Sequence, residues 1–206
     1  MLYHLTQRTL AHILLPLGKF SKEEVRRKAE TYHLPVAHKA ESQEICFIPH
    51  DDYKAYLRQK RPESYAPGDI VDGMGNVLGR HDGISFYTIG QRKGLGIAAP
   101  HPLYVTALDA SQNRVIVGGA DAVYASELVA SDLNWTMWDN LSEPMEAQAK
   151  IRYGKREIRT RIIPQREGSL YVCFAEPQRA ATPGQSIVFY KDDVVLGGGV
   201  IDRVIS

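Results

Sequence analysis

The chain has 206 residues, of which 44% are apolar and 24% charged, and a formal net charge of +1. That length can bury a core and leaves room for more than one folding unit, while no apolar run approaches the roughly 20 residues a membrane span needs. With no basic cluster and no small-residue cleavage site near the N-terminus, the expectation is a cytoplasmic protein without a membrane span or signal peptide.

The first elements read as helices. "LTQRTLAHILLPLG" places Leu10, Ile13 and Leu14 on one helical face and stops at Pro16 and Gly18. "SKEEVRRKAETYHLP" opens with Ser21 and Glu24, the S-x-x-E pattern of a capping box, and ends before Pro35. Two such short helices cannot form a stable domain by themselves, and they read as the tail of something larger.

Next comes "ESQEICFIP", which carries Cys46, one of only two cysteines. A reducing compartment keeps Cys46 and Cys173 as thiols, and the histidines show no ligand spacing, so neither a structural disulfide nor a structural metal is expected. The thiol of Cys46 falls at a turn entering "ICFIP". It is a nucleophile if donors or a cation stabilise the thiolate, or a small buried hydrophobe between Ile45 and Phe47; the local sequence leaves both open.

From Pro67 the pattern changes to strands. Residues 67 to 119 form a glycine-punctuated β unit, with hairpins throughout "PGDIVDGMGNVLGRHDGISFYTIGQRKGLG" and two strands about a Ser111–Asn113 turn. Within "FYTIGQRKGLG", Gln91, Arg92 and Lys93 lie between glycines, where backbone and side chains can both approach phosphates. The segment lacks the GxxxxGK[ST] spacing of a nucleotide-binding loop.

"DLNWTMWDNLSEPMEA" reads as an irregular connection. "EAQAKIRYGKREIRTRIIP" then alternates, with Ala147, Ala149, Ile151 and Tyr153 on one face and Gln148, Lys150 and Arg152 on the other. From Lys150 to Arg166 the chain carries a net +6 against −5 for the remainder, a local field suited to a polyanion or a solvated face. "SLYVCFAEP", "QSIVFYKDD" and "VVLGGGVIDRV" are short and β-branched or aromatic, as in a small antiparallel barrel. Cys173, in mid-strand, reads as buried packing, and the glycines of "VLGGGV" as a bulge or tight turn between strands.

"GKFSKEEVRRKAE", "SQEICFIP", "PGDIVD", "LGRHDGISFYTIGQRKGLGI", "LYVTALD", "NRVIVGG", "KIRYG", "EPQRAATPGQSIVFY" and "LGGGVID", in this order, resemble the tRNA-specific 2-thiouridylases over nearly the whole chain. The resemblance implies a mainly β fold with a short helical N-terminal segment. Residues 1–48 would be the remnant of a catalytic adenine-nucleotide α-hydrolase-like domain, residues 49–120 a central β domain, and residues 121–206 an antiparallel β-barrel resembling elongation-factor domain 2.

The resemblance also implies an enzyme in which ATP adenylates the C2 oxygen of the wobble uridine and a persulfide sulfur displaces AMP to leave 2-thiouridine. Cys46 would carry that sulfur, received from a persulfide donor protein. Arg152, Tyr153 and Gln185 would contact tRNA at the anticodon stem-loop, joined by Gln91, Arg92, Lys93, Lys150 and Lys155 from the charge and loop readings. The family's SGGxDS loop, which binds ATP, does not occur in this sequence. The expectation is therefore that ATP binds to a domain absent from this chain and that the chain is inactive alone; the alternative is a stand-alone, non-catalytic tRNA-binding protein.

Overall fold

The computed structural model of the chain describes residues 2–39, 48, 52–60, 65–152, 154 and 156–205. Among the described residues a single 3-10 turn, Leu2–His4, and three short α-helices precede the strands: α1 (Gln7–Leu10), α2 (Lys22–Thr31) and α3 (Tyr53–Lys60). Helix α2 starts at the expected capping box, with Glu24 N–H donating to Ser21 Oγ at 3.3 Å and Ser21 N–H to Glu24 Oε2 at 2.7 Å. It ends where His33 turns to φ 51, before Pro35.

Helix α1 is shorter than the sequence predicts. Beyond Ala11 the hydrogen bonds shorten to i→i+3, and Leu14 is 89% exposed. Of the expected apolar face only Leu10 is half-buried, Ile13 and Leu14 being exposed, and a short helix with so little tertiary burial is marginal. Helix α3 was not expected, although Asp52 is its signal: its Oδ1 accepts from Ala55 N–H at 2.9 Å.

Four strands form an open sheet in the order β2-β1-β4-β3: β1 (Gly68–Val71), β2 (Val77–His81), β3 (Tyr104–Asp109) and β4 (Arg114–Gly118). Two antiparallel hairpins, β1/β2 and β3/β4, meet through a parallel β1/β4 pair. The turns fit their sequences. Asp72 Oδ1 accepts from Met74 and Asn76 N–H, and Asp109 Oδ1 from Ser111 and Gln112 N–H, as Asx turns do. Ile70, Val105, Val115 and Val117 make the core of this sheet.

Residues 82–103 correct the expectation of further hairpins. Only one helical turn, Ile84–Phe86, is regular there. The segment hangs on a few anchors: Gly83 N–H donates to Nδ1 of the buried His81, Leu95 is buried in the sheet core, and Gly90 and Gln91 exchange backbone bonds with Val105. His81 Nδ1 is thus an acceptor, leaving Nε2 to donate to the Asn113 carbonyl at 3.1 Å.

Six strands close into an antiparallel barrel in the order β10-β5-β8-β7-β6-β9. They are β5 (Tyr124–Trp135), β6 (Met145–Lys150), β7 (Ile158–Pro164), β8 (Leu170–Arg179), β9 (Ser186–Lys191) and β10 (Val194–Ile205). Strand β5 runs into the stretch read as an irregular connection. Inward positions alternate with outward ones, so that Leu128, Ile162, Val172, Ile187, Phe189 and Ile201 fill the interior. Burying such a side chain is worth about 1.5–3 kcal/mol.

The glycines of "LGGGV" lie inside β10, not between strands, and the ladder shifts register at Val195/Gly197. They also form a cradle. A Cβ on Gly198 would sit 2.7 Å from the Tyr3 ring, and the Tyr3 hydroxyl lies 2.9 Å from Ser186 Oγ and 3.2 Å from the Gly199 carbonyl, to which it donates. Asn134 Nδ2 donates to the carbonyls of Tyr3 and Leu5, and Gln7 Nε2 to that of Thr136. The first residues are thereby strapped to the barrel.

Candidate nucleic-acid interface

The outward faces of β6 and β9 carry the site. On β6, Ala147 and Ala149 point into the barrel, so Gln148 and Lys150 point outward; on β9, Ile187 and Phe189 are buried, so Ser186, Val188 and Tyr190 are outward. The strands pair with Gln148 opposite Tyr190 and Lys150 opposite Val188. Beyond the ends of these strands the chain adds Arg152 and Gln185. Together they line an open cavity of about 440 Å³.

Three of the expected contacts, Lys150, Arg152 and Gln185, therefore share one cavity, though Lys150 and Gln185 are 35 positions apart in the sequence. Arg152 Nη2 donates to the Ala180 carbonyl at 2.8 Å, and the guanidinium has further donors to offer a ligand. Lys150 Nζ donates to Glu157 Oε1 at 2.9 Å and lies 5.4 Å from the centre of the Tyr190 ring. The hydrogen bond to Glu157 raises the Lys150 pKa above its ordinary value, outweighing the loss of hydration, and keeps the ammonium charged. Gln185 Oε1 is buried and has no hydrogen-bond partner among the described residues, an arrangement that suits a ligand with a donor group.

The loop of Gln91, Arg92 and Lys93 is not remote from this cavity. Ala180, whose carbonyl holds Arg152, faces Gly90 so closely that a Cβ there would lie 2.6 Å from its own. Gln91 is committed within the loop: its Oε1 accepts from Thr88 N–H at 3.1 Å and its Nε2 donates to the Lys93 carbonyl at 3.0 Å. Arg92 and Lys93 are exposed. Gly90 and Gly94, at φ 86 and 76, provide the left-handed turns that bring this loop back toward β3.

Cys46, Tyr153 and Lys155 lie outside the described residues. Cys173 corrects the expectation of buried packing. It is half-exposed on the outer face, opposite Glu127 on β5 and Arg161 on β7, and burial followed by the Glu127 charge pushes its thiol pKa up. Among the described residues no group of three or more His, Cys, Asp or Glu could hold a metal ion, and no helix is long and apolar enough to cross a membrane.

The sequence reading missed Ser186, Val188 and Tyr190. The signal was present in "QSIVFYKDD", where alternation about Ile187 and Phe189 sends these residues to the same face as Lys150. The glycine-rich segments do not offer an ATP phosphate cradle. The space over Gly197, Gly198 and Gly199 is filled by Trp135, the Tyr3 ring and Leu133 in turn, and no helix starts after Gly94 or Gly96.

Three family models match in succession: a tRNA methyl transferase HUP domain over residues 1–50, a tRNA methyl transferase PRC-barrel domain over 54–119, and an aminomethyltransferase beta-barrel domain over 125–201. The tRNA-specific 2-thiouridylase MnmA of Acetivibrio thermocellus is 50% identical over 200 residues, 97% of this chain and 56% of that protein. A counterpart in Caldanaerobacter subterraneus is 51% identical over 203 residues, 98% of this chain and 56% of its own length, and one in Chlorobium chlorochromatii 50% over 205, 98% and 57%. The chain thus spans a little over half the length of the curated relatives it matches.

Proposed function

The chain belongs to the tRNA-specific 2-thiouridylase family, and from that premise we propose that it serves, in the cytoplasm, in the conversion of the wobble uridine of tRNA to 2-thiouridine. The barrel and the loop at 91–93 form the platform for the anticodon stem-loop. Cys46 presents the persulfide sulfur received from a donor protein. The observation that carries this reading is the convergence of Lys150, Arg152 and Gln185 on one outward cavity.

Each part has a physical task. Lys150, Arg152, Lys155, Arg92 and Lys93 neutralise phosphates, which fixes the register of the stem-loop without reading its bases. Gln185, with its unpartnered buried carbonyl, adds a directional contact, and Gln91 braces the loop that displays its two basic neighbours. ATP, when bound, would supply the activation of the uridine C2 oxygen. Among the described residues the glycine-rich segments offer no cradle for the ATP phosphates, and we assign that step to the part of the relatives' length that this chain does not span.

The test is RNA binding over a salt series, comparing the starting chain with an Arg152→Ala/Lys155→Ala double variant. The logarithm of affinity should fall linearly with that of salt, and the slope should become shallower by up to about 2 in the variant as two phosphate contacts vanish. Arg152→Ala leaves the Ala180 carbonyl bonded to Thr182 Oγ1, so the substitution orphans no acceptor there. Absence of RNA binding at low salt, or an unchanged slope, would overturn the platform.

A further inference from the structure

A second cavity, about 340 Å³ in volume, opens on the same barrel face, and Tyr190 lines both. Its centre is a row across three neighbouring strands: Arg159 on β7 pairs with Gln148 on β6, which pairs with Tyr190 on β9. Side chains directly opposite in this way lie about 5 Å apart at Cβ. The row is one step along the barrel from Lys150, whose ammonium stands over the Tyr190 ring.

The charges of the two cavities differ. The first holds Lys150 and Arg152, with Glu157 bonded to Lys150 as the counter-charge. In the second, Arg159 and Lys191 are balanced by Glu146 and Asp192. A balanced cavity has no net attraction for a phosphate. It suits an uncharged group of mixed polarity.

The hydrogen-bond inventory is more specific. Gln148 Oε1 is buried and has no partner among the described residues, as Gln185 Oε1 has none in the first cavity. A buried carbonyl of this kind requires a donor. A phosphate diester has none, whereas a ribose 2′-hydroxyl or a base N–H does, and the Tyr190 ring beside it offers a stacking surface.

We propose that the Arg159–Gln148–Tyr190 row is a nucleoside subsite, in which Tyr190 stacks one unpaired nucleotide of the RNA and Gln148 accepts its ribose 2′-hydroxyl. The proposal rests on the reading of this barrel face as an RNA platform and extends it: the neighbouring basic cavity takes the phosphate, and this one takes the sugar and base. The row thereby makes the platform distinguish RNA from DNA, which phosphate contacts alone do not do.

The experiment measures binding of the full chain to an RNA stem-loop with an unpaired loop and to the DNA version of the same sequence. RNA should bind more tightly. Gln148→Leu, which keeps the bulk and removes the acceptor, should weaken RNA about 3- to 10-fold, spare DNA, and leave the salt slope unchanged because no charge is lost. Tyr190→Ala should weaken both about tenfold. Single 2′-deoxy substitutions along the loop give the same information on the unaltered protein, with one position losing what Gln148→Leu loses. Wild-type RNA affinity in Gln148→Leu, equal losses on RNA and DNA, or uniform tolerance of 2′-deoxy positions overturns the subsite. If Arg152→Ala still weakens RNA binding then, the platform stands without it; if that too changes nothing, the platform itself is refuted.

Discussion

At the scale of the residue, hydrogen bonding decides which polar side chains are available to a partner and which are committed to the fold. Gln91 and Gln185 look alike in the sequence, yet the amide of the first is used at both ends within its loop and the carbonyl of the second has no partner among the described residues. Tyr171 is committed too: its hydroxyl donates to Glu127, chiefly through that bond its pKa is pushed up to about 12 from 10.0, and burial and the carboxylate charge act in the same direction. A group whose folded pKa lies above its unfolded one contributes stability that is complete below the unfolded value and lost as pH rises through the folded value. The Tyr171–Glu127 contribution should thus be intact below about pH 10 and disappear by about pH 12. Phenolate absorbance, taken as the difference between the starting chain and Tyr171→Phe, should show this ionisation near 12, and Glu127→Gln should bring it down toward 10. Ionisation near 10 with Glu127 in place would show that the bond does not form. The sequence announces none of this, because Glu127 and Tyr171 are 44 positions apart and meet only through β5/β8 register.

At the scale of the element, legibility follows the range of the forces. The capping box of α2 and the Asx turns of both hairpins are bonds within four residues, and the sequence displays them. Alternation in "EAQAK" exposes the outward face of β6 for the same reason. Helix α1 fails as an expectation because its apolar face needed a partner that no local pattern supplies. Strand β5 was missed because "ASELVASDLNW" mixes polar and apolar positions, and its ladder shifts register against both β8 and β10. The glycines of β10 were read as a turn since what they accommodate is distant in sequence, for Gly198 the Tyr3 ring 195 positions away. Gly198→Ala tests that purpose: the new methyl would meet the Tyr3 ring at 2.7 Å and the Ile187 carbonyl at 2.5 Å, and overpacking of this kind costs about 1–3 kcal/mol. The variant should unfold at lower urea. In a Tyr3→Ala background the same substitution should cost less, since one of its two clashes is gone. An unchanged midpoint for Gly198→Ala would mean that the strap of residues 2–7 yields at no cost.

At the scale of the whole molecule, a net charge of +1 conceals a division of labour, with basic groups gathered on the barrel face and on a loop of the open sheet. These two sources act as one surface only if the sheet and the barrel are held in register. The seam is narrow. Arg179 on β8 lies 5.1 Å from the centre of the Tyr104 ring on β3, Ala180 N–H donates to the Val123 carbonyl, and Gly90 touches Ala180, whose carbonyl also holds Arg152. A displacement at Ala180 is therefore felt by both the 91–93 loop and the Arg152 guanidinium. Gly90→Ala strains a backbone at φ 86 and inserts a methyl 2.6 Å from the Ala180 Cβ, so loop and barrel must part. Arg92 and Lys93 then leave the surface while the barrel core, which Gly90 does not enter, remains closed. RNA affinity of Gly90→Ala should fall, and its salt slope should become shallower by up to about 2, the share of two phosphate contacts. The cooperative unfolding of the barrel, followed by Trp135 and Trp138 fluorescence, should stay near that of the starting chain. Wild-type affinity and slope in this variant would show that the loop contributes no phosphate contacts and that the barrel binds RNA alone.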